Sequence, residues 1–130
     1  MTVLVAYVPR PEGQAALEKG IEIATKDNEQ LVVINAGPGG RSEDPNVVSG
    51  YEVERVEERL GKLPIKAELK VFVRGNSAIE EIEELVQTLQ VSVLVIGLRK
   101  RNPVGKLLLG SMAQEILLNV PCPVLAVKAD

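Results

Sequence analysis

Histidine and tryptophan are absent from these 130 residues, cysteine and phenylalanine occur once each, and tyrosine twice. With no histidine and only Cys122 as a thiol, one copy of the chain cannot assemble a Ser-His-Asp triad, a Cys-His pair, a structural zinc site or an intrachain disulfide. Aromatics at 2% leave no platform for stacking single-stranded nucleic acid, and a net charge of -3 argues against a general nucleic-acid binder. Long apolar runs are missing too. The stretch Val91 to Gly97, interrupted by Ser92, falls far short of the roughly 20 residues needed to cross a bilayer, so no membrane partner is expected.

What is present suffices for one domain spanning residues 1–130. Apolar residues make up 45% of the chain, and with so few aromatics the core must come from Val, Leu, Ile and Ala. The opening Met1-Thr2-Val3-Leu4-Val5-Ala6 carries no positive leader and soon meets Pro9 and Arg10. It reads as a first strand instead of a secretion signal, and a lone free thiol suits the cytoplasm.

Short apolar, mostly β-branched runs occur at Thr2 to Val8, Gln30 to Ala36, Ala67 to Val73, Val91 to Ile96 and Val124 to Val127; these predict buried strands. All but the third are nearly apolar throughout, as in a parallel sheet covered on both faces. The third alternates at first and belongs nearer an edge. Helical spacing fills the intervals. Glu12 to Lys26 follows Pro11 and places Leu17, Ile21 and Ala24 on one face. Val48 to Leu60 aligns Val53, Val56 and Leu60 before Gly61 and Pro64. Ser77 to Glu80 has capping-box spacing, after which Ile79, Ile82, Val86 and Leu89 repeat at helical intervals. A last helix opens near Gly110-Ser111, turns Met112, Ile116 and Leu117 inward, and stops before Pro121-Cys122-Pro123. The resulting order, β-α-β-α-β-α-β-α-β, predicts an α/β fold: a doubly wound, open five-stranded parallel sheet with helices on both faces.

In such sheets ligands bind beyond the carboxyl ends of the strands where the winding reverses. The connections to examine are therefore Val8 to Pro11, Gly37 to Pro45, Arg74 to Asn76 and Gly97 to Ser111. The last carries Arg99, Lys100, Arg101 and Lys106, with no acid between Glu84 and Glu115, and delivers Gly110 and Ser111 to a helix N-terminus, where free amides and the helix dipole favour an anion. A glycine after a strand is ordinarily a turn, a serine at a helix start a cap, and a loop cation solvated. Their coincidence on one loop points to an anion or phosphate site. Gly105-Lys106 is not a Walker loop, which needs Gly at 100 and Ser or Thr at 107, and the first strand is not followed by a dinucleotide glycine fingerprint. The glutamates at 52, 54, 57 and 58 and at 80, 81, 83 and 84 read as solvated helix faces instead of metal sites. No metal is expected. Cys122, between prolines, reads as an inert, buried thiol.

The chain resembles the universal stress protein family over essentially its whole length. The resemblance is carried by Val3-Leu4-Val5-Ala6, the alanine-rich first helix, Val93-Leu94-Val95-Ile96-Gly97, Leu108-Leu109-Gly110-Ser111-Met112-Ala113 and Val120-Pro121-Cys122-Pro123-Val124-Leu125-Ala126-Val127. It implies a Rossmann-like fold of the adenine nucleotide alpha hydrolase type. Nucleotide-binding members carry Gly-x2-Gly-x9-Gly-Ser/Thr around the phosphates and ribose of ATP. On this chain the first glycine is Gly97, the third Gly110 and the hydroxyl residue Ser111, at the family's spacing. Lys100 replaces the second glycine; its side chain either blocks close backbone approach or supplies a point charge to phosphate. ATP-binding members also tend to place an aspartate at the end of the first strand to read adenine, where this chain has Val8.

The resemblance further implies a homodimer in which the last strands, Val124, Leu125, Ala126 and Val127, pair across a self-complementary interface. The expected function is a cytoplasmic stress-associated regulatory module. It would hold the phosphate of ATP, another adenine nucleotide or another anion through Gly97, Gly110 and Ser111 with Arg99, Lys100 or Arg101, with at most weak ATPase activity. The competing expectation is a dimeric protein-interaction module that binds no nucleotide, which Val8 and Lys100 favour.

Overall fold

A computed structural model describes residues 1–36, 50–72, 78–99 and 111–129. The elements follow the expected alternation: β1 (Thr2–Ala6), α1 (Pro11–Asp27), β2 (Gln30–Ala36), α2 (Gly50–Gly61), β3 (Ala67–Phe72), α3 (Ala78–Thr88), β4 (Val91–Arg99), α4 (Ser111–Asn119) and β5 (Val124–Ala129). The strands form one parallel sheet in the order β3-β2-β1-β4-β5. The partly alternating third strand is indeed an edge, and β5 is the other. Winding runs from β1 through β2 to β3, then returns to β4 on the far side of β1, so the reversal lies between β1 and β4.

Side chains alternate across the sheet. Val3, Val5 and Tyr7 of the first strand region, Leu31 and Val33 of β2 and Val95 of β4 meet Ala16, Leu17, Ile21 and Ala24 of α1 and Val56 and Leu60 of α2. Leu4, Val32, Ile34, Leu94 and Ile96 turn the other way, onto Ile82 of α3, Ile116 of α4 and Val120 just beyond α4. Each fully buried Val, Leu or Ile contributes about 1.5–3 kcal/mol relative to exposure. Both layers are aliphatic apart from Tyr7, as the composition required.

Several boundaries differ from expectation. β1 stops at Ala6 instead of Val8: the Tyr7 carbonyl accepts from the Asn35 side chain and the Val8 carbonyl from the Arg10 amide, and Pro9 has no N–H to continue a ladder. β4 runs to Arg99 because β5 pairs with it to the end, Gly97 opposite Val127 and Arg99 opposite Ala129. Gly97, Leu98 and Arg99 are thus strand residues, not loop residues. On α4 the inward residues are Ala113 and Ile116, with Val120 one residue past its end; the Met112 side chain lies outside what is described, and Leu117, expected inward, is 48% exposed, lying about 100° around the helix from Ile116. Pro11 is the first residue of α1. Ser77 and Val48 lie outside the described residues.

Candidate functional site

The reversal point is built from the end of β1, the first turn of α1 and the end of β4. Past Ala6, the Tyr7 amide donates to the Ile34 carbonyl at 2.8 Å, and the Asn35 side-chain amide donates to the Tyr7 carbonyl at 2.9 Å. The Arg10 amide then donates back to the Val8 carbonyl at 2.8 Å, closing a tight turn. Arg10 is the extended N-cap residue of α1 and offers no side-chain cap, and Pro11 at the first helical position contributes no amide.

Two glycines let α1 sit directly on this turn. A Cβ at Gly13 would lie 1.8 Å from the Val8 carbonyl oxygen, and one at Gly97 would lie 1.9 Å from the Glu12 carbonyl oxygen. Gly97 follows Val93 and Val95 on the α1 face of β4, and its missing side chain is the space that the first turn of α1 occupies. Gly97 therefore has a packing role independent of any ligand. Sequence reasoning passed over Glu12 and Gly13; the available signal was a glycine in a first helical turn, a costly choice that needs a steric reason. One carboxylate oxygen of Glu12, Oε1, is buried without a hydrogen-bond partner among the described residues.

The remaining predicted phosphate-site residues divide. Arg99 is the last residue of β4 and Ser111 the first of α4. Lys100, Arg101 and Gly110 lie outside the described residues, as do the stretches 37–49 and 73–77. The connection from β4 to α4 starts at the strand end next to the reversal point, as expected of the crevice loop, although it begins three residues later than predicted.

A polar cluster absent from the sequence reading stands beside Val8. Tyr7 is 1% exposed; its hydroxyl donates to Glu52 Oε2 at 3.2 Å and accepts from Gln14 Nε2 at 3.1 Å. Arg55 Nη1 donates to Glu52 Oε1 at 2.8 Å, three residues apart on α2, and its guanidinium lies 5.8 Å from the centre of the Tyr51 ring. Burial, reinforced by the Glu52 charge, pushes the Tyr7 hydroxyl up to about 12, so it stays protonated near neutrality and is no general base. Asn35, 0% exposed, is the other buried polar group at this end of the sheet. Among the described residues no group of His, Cys, Asp or Glu could hold a metal ion, and no helix is long and apolar enough to cross a membrane.

At the opposite edge, Leu125 and Ala126 of β5 are exposed. Leu118 of α4 is 83% exposed. Cys122 is half-buried, and burial raises its thiol pKa, which makes it a poorer nucleophile.

The profile of the universal stress protein family matches residues 1–128. A universal stress protein of Mycolicibacterium smegmatis is 44% identical over 126 residues, covering 97% of this chain and 96% of the relative. Among solved structures, a universal stress protein from Archaeoglobus fulgidus is 26% identical with a TM-score of 0.77, covering 98% of this chain and 97% of that one. A universal stress protein from the same organism in complex with dAMP is 21% identical with a TM-score of 0.71, over 98% of this chain and 96% of that one. A universal stress protein in complex with cAMP is 19% identical at a TM-score of 0.71, over 100% of this chain and 98% of that one.

Proposed function

Since the chain belongs to the universal stress protein family, we propose that it is a cytoplasmic binding and regulatory module that holds the phosphate of an adenine nucleotide, or another anion, with little or no turnover. Gly97, Gly110 and Ser111 would supply main-chain and hydroxyl contacts, and Arg99, Lys100 and Arg101 the positive charge. The observation that carries this reading is the meeting of β4 with α1: Gly97 lies at the winding reversal, and β4 leads from there into the basic connection that ends at the N-terminus of α4. Two proteins of the same fold hold dAMP and cAMP. Their likeness supports the fold, and the ligand reading rests on this chain's own residues. The chain has no histidine to act as a general base, which favours binding over catalysis.

A second reading, a dimeric interaction module without nucleotide, is favoured by Val8 where an adenine-reading aspartate would stand and by Lys100 in place of the second glycine, since a side chain there can block close backbone approach. Calorimetric titration with ATP, AMP and inorganic phosphate separates the two. Binding that is lost in Gly110→Val supports the first; no binding of any of the three overturns it and supports the second.

A further inference from the structure

At the sheet edge away from β5, β3 pairs with β2 alone. The Leu31 amide donates to the Lys66 carbonyl at 2.8 Å, and this fixes the direction of every main-chain group along the strand. Those of Lys66, Glu68 and Lys70 point toward β2, and those of Ala67, Leu69 and Val71 point out of the sheet. An edge of this kind is a template for a further strand. The side chains of Ala67, Leu69 and Val71 pack into the layer that holds Val56 and Leu60 of α2. Glu68 and Lys70 face the other way and lie 3.7 Å apart.

Beside this edge, Glu57, Leu60, Gly61, Ala67, Glu68 and Leu69 line an open groove of about 300 Å³. A Cβ on Gly61, the last residue of α2, would meet nothing within 4 Å. At about 100° per residue, Glu54, Glu57 and Gly61 share one flank of α2, and Arg59, paired with Glu18 of α1, marks the opposite flank. The charges of α2 divide in the same way. Glu52 pairs with Arg55, Glu58 with Lys62 and Arg59 with Glu18. Glu54 and Glu57, on the flank beside the open edge, have no ion-pair partner among the described residues.

We propose that the β3 edge is a docking surface for an extended segment of a partner protein, added as a sixth strand of the five-stranded sheet. The face it turns to α2 carries a small apolar residue flanked by Lys or Arg. Its main chain pairs with Ala67, Leu69 and Val71, its apolar side chain enters the groove against Leu60 and Leu69, and its cations reach Glu54 and Glu57. The same two carboxylates reject an acidic segment. This surface lies two strands from β1 and the winding reversal, so the proposal is independent of nucleotide binding.

The probe is an end-blocked, fluorescent heptapeptide, Thr-Lys-Thr-Val-Thr-Lys-Thr, whose two lysines and valine share one face when extended. Its counterpart has glutamate in place of lysine. Anisotropy at roughly 0.15 M salt, where distant charges are screened, measures binding, and hydrogen exchange locates it. The lysine peptide should bind with a Kd below about 1 mM, and its counterpart at least about tenfold more weakly. Exchange should slow at the Ala67, Leu69 and Val71 amides. Glu57→Lys should weaken binding about fivefold, and Gly61→Trp, which fills the groove, about tenfold or more. Glu115→Lys on exposed α4 changes net charge equally and should leave binding unaltered. No binding, slowed exchange at β5 instead of β3, equal affinity for both peptides, equal weakening by Glu115→Lys, or full binding by Gly61→Trp overturns the proposal. If Gly61→Trp does not fold, Gly61→Leu takes its place with the same outcomes.

Discussion

The main chain of Gly97 in β4 lies directly against the main chain of Glu12 in the first turn of α1, so close that a methyl group on Gly97 would approach the Glu12 carbonyl oxygen to 1.9 Å. Backbone cannot yield as a flexible side-chain end can. Gly97→Ala is therefore expected to destabilise the fold by at least about 1–3 kcal/mol, as is Gly13→Ala, which meets the Val8 carbonyl oxygen at 1.8 Å. Gly61→Ala, with nothing within 4 Å of the new methyl, should be neutral or stabilising by up to about 1 kcal/mol. Urea unfolding of the three variants checks this, and wild-type stability in Gly97→Ala contradicts the close approach.

Tyr7 predicts a loss of stability in alkali. Its folded-state pKa, pushed up from 10.0 to about 12, means that the unfolded chain releases the phenolic proton first. Stability from this group is complete below about pH 10, falls as pH rises toward 12, and then levels off. A shift of this size corresponds to about 2–3 kcal/mol. Lysines titrate in the same range, so the measurement is the difference between wild type and Tyr7→Phe in urea unfolding at pH 9 and pH 11.5. A difference that does not shrink with pH contradicts the assignment.

Glu18 of α1 and Arg59 of α2 form a two-pronged pair, with Arg59 Nη2 donating to Glu18 Oε1 at 2.7 Å and Nη1 to Oε2. The Arg59 hydrogen bonds hold the Glu18 carboxyl below its usual range, so the contribution is present above the ordinary carboxylate pKa and is lost as pH falls through the lowered folded value. Both side chains are substantially exposed, and solvent limits the coupling to about 0.2–1 kcal/mol. A double-mutant cycle with Glu18→Gln and Arg59→Gln should find that coupling at pH 7, and find it reduced at 1 M salt.

β5 is a sheet edge whose apolar Leu125 is 36% exposed. The proposed dimer pairs this strand with its copy. Light scattering at micromolar concentration should return twice the mass of the chain for wild type and the mass of one chain for Leu125→Asp, which puts like charges across the interface. A monomeric wild-type mass removes the dimer.

Much of the architecture was legible because burial on both faces leaves a direct mark on a strand: continuous runs such as Leu31-Val32-Val33-Ile34 admit few other readings. The partial alternation at Glu68 and Lys70 marked β3 as an edge for the same reason. The site was less legible. Gly97 stood out, but as a loop glycine near phosphate, because strand length beyond Ile96 depends on pairing with β5, whose Val127 lies opposite Gly97 from 30 positions further along the chain. Leu117 followed helical spacing about as well as Val120, and only the placement of α4 on the sheet decided between them. Tyr7, Gln14, Glu52 and Asn35 are scattered along the chain and have no joint signal until the elements pack.

By itself the sequence determined the alternation of strands and helices, the aliphatic makeup of the core, the exclusion of histidine-dependent chemistry and the family pattern at Gly97, Gly110 and Ser111, since all of these are properties of residue type and local spacing. Tertiary structure alone decided which strand ends adjoin, that Gly97 and Gly13 are required by the seating of α1, and that Asn35 and Tyr7 hold the end of β1. Those are contacts between residues distant in sequence, and their energies depend on separations of an ångström or less that no local pattern encodes.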